Sequence, residues 1–203
     1  MKTFKELINE SGLHMFDVDD TLFHTTAKIH VKDKTGKTIN TLSNSEFNTH
    51  TLEPGHQYDF SEFRDADKFH KESKPISKMI GKIKAIHANV KNKPDSKVIL
   101  NTARADFDDK NKFLDKFRQH DIDIDNIHVE RAGNIPGDEH PAEKKAQVVR
   151  NHLSRKKYKN VHLYDDSLSN LKRLQKMKSE YPDVNFHAHH VQPNGTVKKL
   201  KDE

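Results

Sequence analysis

Leu13-His14-Met15-Phe16-Asp17-Val18-Asp19-Asp20-Thr21-Leu22 is a short, mostly apolar stretch that runs into a cluster of carboxylates. Residues 13–17 read as a buried strand, since a run of this length bounded by turn-forming residues suits a sheet covered on both faces. Acidic side chains at the end of such a strand are costly unless something uses them. Asp17 and Asp19 lie two apart, so an extended chain directs both toward one pocket. The plain alternative is a strand ending in an acidic turn that caps the next element.

Working outward, helix and strand patterns alternate. Residues 3–10 form an amphipathic pattern on Phe4, Leu7 and Ile8, with Gly12 placed to end a helix. Ile76, Met79, Ile80, Ile83 and Ile86 recur at helical spacing over 76–90, before a strand at 97–101. Phe113, Leu114 and Phe117 mark the buried face of a helix from Phe107 to His120. A strand follows at 127–130, a helix led by Pro141 runs to Leu153, and a strand occupies 160–164. Ser167 is placed to cap a helix through Ser179. A last strand over 184–191 precedes an Asn194-Gly195 turn. This alternation predicts a single α/β domain over 1–203, Rossmann-like, with a mostly parallel sheet and helices on both faces. Ligands in such sheets bind at the carboxyl ends of the strands, where strand order reverses.

Residues 24–75 break the alternation. Lys28-Ile29-His30-Val31, the turn-like Lys34-Thr35-Gly36-Lys37 and Thr38 to Leu42 predict a β-hairpin, and Asp59 to His70 a helical segment. The whole reads as a small cap inserted after the first strand, over the active end of the sheet.

Composition sets the limits. Of 203 residues, 32% are hydrophobic and 33% charged, so the core is modest and the surface heavily solvated. The absence of cysteine excludes disulfides and thiolate metal sites. No stretch has the pattern of a signal peptide or the apolar length of a membrane span, so a soluble cytoplasmic protein without membrane partners is expected. The net charge of +5 is uneven: residues 140–203 carry 14 Lys/Arg against 7 Asp/Glu, and residues 105–139 carry 5 against 10. A basic chain is compatible with polyanionic partners, though charge alone is weak evidence for one.

The other strand ends extend the acidic cluster into a constellation. The strand at 97–101 ends in Asn101-Thr102-Ala103-Arg104, which offers a hydroxyl and a guanidinium for holding phosphate. The strand at 160–164 ends in Asp165-Asp166-Ser167. Lys144 and Lys145 fall early in the helix between them. Two carboxylates beside Mg²⁺ suit phosphoryl transfer, with one as nucleophile and the other as proton carrier.

Asp17-Val18-Asp19-Asp20-Thr21, Thr102, Lys144/Lys145 and Asp165-Asp166 resemble, in order, the four motifs of the haloacid dehalogenase-like (HAD) superfamily. The resemblance implies Asp17 as the nucleophile that forms an aspartyl-phosphate and Asp19 as the general acid/base. It implies Thr102 at the phosphoryl oxygens and a lysine that neutralises charge. Mg²⁺ would be held by Asp17, the backbone carbonyl of Asp19 and an acidic residue of Asp165/Asp166. Lys145 shares a helical face with Val148, Val149 and His152 and is preferred over Lys144. Asp166 is preferred as the direct ligand, with Asp165 behind it. An aspartate two residues after the nucleophile points to a phosphatase. Arg104 extends the likeness toward the polynucleotide phosphatase branch, and a fainter one runs to HAD-like proteins of tailed phages. Thr21, Asn101, Ala103, Arg104 and Arg131 are the candidate substrate contacts.

Other features carry less. Asp33-Lys34-Thr35-Gly36 resembles the phosphorylation motif of cation-pumping ATPases but lies between alternating segments, as a hairpin turn does. His187, His189 and His190 suit a solvated edge strand better than a metal site. Arg155-Lys156-Lys157-Tyr158-Lys159 falls at the end of the sheet opposite the carboxylates, where a helix C-terminus favours cations for its own reasons. Residues 133–138 read as a loop. The expected function is a Mg²⁺-dependent phosphomonoesterase acting on a nucleotide or a nucleic-acid 3′-phosphate end. The rivals are a phosphatase of a small metabolite and a basic nucleic-acid-binding protein without turnover. Oligomeric state is not readable from the sequence.

Overall fold

The structure, a computed structural model, describes residues 11–137 and 139–201. The helix expected over 3–10 and the last residue of the 133–138 loop lie outside the described residues. Gly12, expected to end that helix, instead opens the first strand.

A six-stranded sheet forms the centre. Its strands are β1 (Gly12–Phe16), β7 (Lys97–Thr102), β8 (His128–Arg131), β9 (Asn160–Asp165), β10 (Asn185–Val191) and β11 (Val197–Lys199). They lie in the order β11-β10-β9-β1-β7-β8. All neighbours are parallel except β10 and β11, which form an antiparallel hairpin. The chain winds outward from β1 through β7 to β8, then crosses back to β9 and β10 on the other side. Strand order therefore reverses at β1, and the crevice beyond its carboxyl end is where this topology places ligands.

Strand parity sorts side chains between two cores. Phe16, Val98, Leu100 and Tyr164 face α3 (Ser77–Val90) and α4 (Lys110–Arg118), which contribute Met79, Ile83, Phe113 and Phe117. Leu13, Met15, Ile99 and Leu163 face α5 (Pro141–Arg155) and α6 (Leu168–Lys176), which contribute Ala146, Val149, Leu171 and Leu174. The chain is thus an α/β protein of Rossmann-like build, with a mostly parallel sheet flanked by helices.

Several boundaries differ from expectation for local reasons. Helix α4 starts at Lys110 because Asp109 caps it, its carboxylate accepting from Lys112 N. Phe107 stays outside that helix and stacks on Phe113, ring centroids 3.8 Å apart. Ser167 occupies the N-cap of α6 as expected, but its side chain makes no capping bond; the hydroxyl bonds to Asn48 Oδ1 and Ser169 Oγ instead. Strand β10 is not an edge, because the unpredicted β11 covers it. No helix among the described residues is long and apolar enough to cross a membrane.

The insertion closes on itself at its base. β2 (Phe23–His24) pairs with β6 (Lys74–Pro75), so the segment leaves and re-enters the core at one point. Its outer part is a three-stranded antiparallel sheet of β3 (Ile29–Lys32), β4 (Thr38–Leu42) and β5 (Gln57–Asp59). The expected hairpin is there, with a third strand added. Asp33-Lys34-Thr35-Gly36 is its turn: Asp33 Oδ1 accepts from Thr35 N and Lys37 N, and Gly36 takes φ +83°. A short helix α1 (Asn44–Phe47) carries a Ser43/Glu46 capping box. Ala27, Ile29, Val31, Leu42 and Phe63 make a small core of this part.

The inner part belongs to the main core. The helix expected over 59–70 is a 3₁₀ turn at Ser61–Arg64 followed by α2 (Ala66–Glu72), whose cap Asp65 accepts from Lys68 N. Phe69 of α2 meets Phe23 edge-on at 5.5 Å and stacks on Phe113 at 4.9 Å. This aromatic cluster fixes the base of the insertion beside the end of β7.

Candidate active site

Asp17 follows the last residue of β1 and keeps the parity of Leu13 and Met15, so its side chain points toward α5. Asp165, at the end of β9, does the same, in step with Val161 and Leu163. Lys145, on the buried face of α5, lies between them. Its Nζ donates to Asp17 Oδ1 at 2.7 Å and to Asp165 Oδ2 at 2.8 Å. The lysine is 3% exposed, Asp17 6% and Asp165 0%. Lys144, one residue earlier, is half-buried and has no part in this arrangement.

Asp165 is saturated. Besides Lys145, it accepts from Ser167 N at 2.9 Å, and Asn170 Nδ2 donates to both of its oxygens, Oδ1 at 2.9 Å and Oδ2 at 3.0 Å. Asp166 is not: among the described residues its carboxylate receives only a long bond from Thr21 Oγ1, at 3.4 Å. Asp17, Asp165 and Asp166 each bring an oxygen to within 4.8 Å of the others. Three carboxylates around one lysine leave about two negative charges without a partner, if all are ionised. The titration behaviour reflects that deficit. Burial pushes Asp17 upward, Lys145 pulls it back, and Asp165 and Asp19 push it up again. Asp166 is raised well above the ordinary carboxylate range by burial, with Asp165 and Asp17 adding to it. Burial works against the charge of Lys145, but its two carboxylates outweigh that and hold it above the ordinary value. A divalent cation fits this trio by charge and by donor chemistry, since hard cations take carboxylate oxygens.

Asp19 stands apart from the trio. Its carboxylate receives Arg104 Nε at 2.9 Å and Arg104 Nη2 at 2.7 Å, a two-pronged pair. Arg104 also donates to Phe63 O at 2.6 Å and lies over the rings of Phe69 and Phe63, at 4.6 and 5.1 Å. At 2% exposure it is enclosed by the insertion. Arg104 was expected at a substrate phosphate; its guanidinium is occupied with Asp19 and the Phe63 carbonyl.

The remaining candidates divide. Thr21 and Thr102 are fully buried, and Thr102 Oγ1 accepts from Arg104 N at 3.2 Å. Asn101 is no surface contact: it is buried on the α5 side, where Nδ2 donates to Lys145 O at 3.3 Å. Ala103 is exposed on the loop after β7, its carbonyl close against Gly133. Arg131 pairs with Asp106, which also accepts from Asn134. Asp20, at φ +55°, turns the chain away from the site, and its carboxylate accepts from Asn44 Nδ2 at 2.9 Å. With the Ser167–Asn48 bond, this places α1 of the insertion over the rim formed by Asp20 and Ser167.

Two supporting residues, Asn170 and Asn48, escaped the sequence reading. Asn170 left a trace, being polar on the otherwise apolar stripe of α6 with Leu171 and Leu174. Asn48 left none, because its contact depends on the fold of the insertion; His190, expected on a solvated edge strand, instead meets the Asp166 carbonyl at 3.0 Å because of the β9–β10 register. No protein-family model, curated protein or solved structure matches the chain.

Proposed function

We propose that the protein is a Mg²⁺-dependent phosphomonoesterase of HAD-like type that works through an aspartyl-phosphate on Asp17. The observation that carries this reading is the division of labour at one strand end. Asp17 is buried against Lys145 and two further carboxylates, while Asp19, two residues on, is held separately by Arg104. A nucleophile and a proton carrier need such different surroundings.

Asp17 attacks the phosphorus, forming the P–O bond to its carboxylate as the bond to the leaving oxygen breaks, and Asp19, once it has taken up a proton and one oxygen has left Arg104, supplies that proton to the leaving oxygen. Asp19 then takes a proton from the water that attacks the aspartyl-phosphate, releasing phosphate and restoring Asp17. Lys145 orients Asp17 and offsets charge, and Thr102 is the hydroxyl donor at the phosphoryl oxygens. Mg²⁺, held by Asp17 and Asp166 with Asp165 behind them, would supply further neutralisation of the phosphoryl group. Asp165 is assigned the supporting role because its oxygens are already engaged.

For substrate class, Arg104 no longer argues for a nucleic-acid end, since it is engaged with Asp19. The small insertion still does, and so does apolar surface. Leu168, two residues past Asp166, is 46% exposed, and Phe60, on the aromatic cluster of Phe47, Tyr58 and Phe63, is 41% exposed. A nucleotide or a nucleic-acid 3′-phosphate end, with a flat base beside its phosphate, is the class proposed.

The test is phosphate release from an aryl phosphate, nucleoside 3′- and 5′-monophosphates and a 3′-phosphorylated oligonucleotide, with Mg²⁺ or with EDTA. Release that needs Mg²⁺ and disappears in Asp17→Asn is expected. Release that survives in Asp17→Asn would overturn the mechanism, and none from any substrate by folded protein would overturn the activity on this class.

A further inference from the structure

We infer that His190 is a positioning residue for the cation site, bracing the Asp165-Asp166 turn from the end of β10; this rests on the metal reading above. The parallel register of β9 and β10 sets His190 opposite Asp165, the last residue of β9. From there His190 Nε2 lies 3.0 Å from the backbone carbonyl of Asp166, and its Nδ1 lies 3.0 Å from Gln192 Nε2. These two contacts determine the roles in the neutral ring. A carbonyl only accepts, so Nε2 carries the hydrogen and Nδ1 is left to accept from the Gln192 amide. Gln192 is in turn fixed by the β10–β11 turn, its backbone N–H donating to Thr196 O at 2.8 Å.

The brace matters because of what it holds. Asp165 is secured by four donor contacts from Lys145, Ser167 and Asn170, whereas among the described residues the Asp166 carboxylate has only the long Thr21 bond. The Asp166 backbone is therefore anchored on its carbonyl by His190, and that anchor limits where the carboxylate can stand. Groups that hold a ligating residue in place typically cost about 10- to 100-fold in metal affinity when removed. The C-terminal hairpin, which supplies no residue to the site itself, would thus contribute to cation affinity.

The experiment is calorimetric titration of Mg²⁺ and Mn²⁺ into the full chain, comparing native protein with His190→Phe, His190→Gln and Gln192→Leu, each checked for folding by thermal melting in EDTA. His190→Phe keeps a ring but loses the donor, and a 10- to 100-fold weaker affinity is expected. His190→Gln keeps an N–H near the position of Nε2 and is expected to restore most of the affinity. Gln192→Leu frees the ring to turn and is expected to fall between, and it carries the test if His190→Phe does not fold. Unchanged affinity in His190→Phe or, failing that variant, in Gln192→Leu overturns the inference. So does an equal loss in the Phe and Gln variants, which would mark a packing role alone. Absence of cation binding by the native protein would overturn the metal reading and the inference together, so the two failures are distinct.

Discussion

Arg104 holds Asp19 by two parallel hydrogen bonds, at 2.9 and 2.7 Å, inside a box of phenylalanine rings. The planar fork of arginine matches a carboxylate in a way that an ammonium cannot. Breaking a buried pair from one side leaves the other charge uncompensated, at about 3–5 kcal/mol. Arg104→Ala is expected to lose stability in that range, and Arg104→Lys to recover only part of it, read from denaturant midpoints. A double-mutant cycle with Asp19→Ala isolates the pair. Zero coupling energy would mean that the phenylalanine box, and not Asp19, fixes the arginine.

Lys145 is the only cation bonded to Asp17 and Asp165 among the described residues. Lys145→Met leaves their charges facing each other and is expected to cost about 3–5 kcal/mol in EDTA. Saturating Mg²⁺ should return part of that loss, because a ligand bound only by the folded state stabilises it. Lys144→Ala should stay within about 0.5 kcal/mol of the native protein. Equal effects from the two substitutions, measured by melting with and without Mg²⁺, would contradict the assignment.

The choice between these lysines was legible in the sequence because helix periodicity alone puts Lys145 with Val148 and Val149. The strands were legible for a similar reason, each being a short apolar run. The site's second layer was not. Arg104 stands in sequence where a phosphate ligand is expected, and only the path of residues 61–69 reveals that Phe63 and Phe69 enclose it. Likewise β11 has too little apolar character to signal a strand; it forms because the Asn194-Gly195 turn folds Val197–Lys199 back along β10.

Asp165 and Asp166 are adjacent and chemically identical, yet opposite outcomes are expected from the same substitution. Asp165→Asn weakens the bond to Lys145 and disturbs the contacts with Asn170 and Ser167, so the melting temperature in EDTA should fall. Asp166→Asn removes a buried charge that its neighbours already disfavour, so the melting temperature in EDTA should hold or rise. In the presence of Mg²⁺ the second variant should lose the ligand-induced stabilisation expected of the native protein. A fall in EDTA for Asp166→Asn, as large as that of Asp165→Asn, would remove the distinction between them.

The face of the sheet under α3, opposite the one on which Asp17 meets Lys145, holds a column of rings. His14 stacks on His162 at 4.6 Å, and His189 stacks on Tyr164 at 4.3 Å and lies 3.1 Å from His162 between ring nitrogens. Burial is the main cause that lowers all three, His14 to about 4 and His189 to about 3, with neighbouring histidines and lysines adding to it. A histidine that stays neutral when folded but protonates near 6.5 when unfolded leaves the unfolded state with more protons between those values. Stability is therefore complete above about pH 6.5 and falls as pH drops toward 4. For His14 alone the loss at pH 5 is about 2 kcal/mol. Melting temperatures between pH 7.5 and 4.5 should fall steeply, and His14→Phe should flatten the lower part of that slope. The same slope in the variant would mean that the acid sensitivity arises elsewhere.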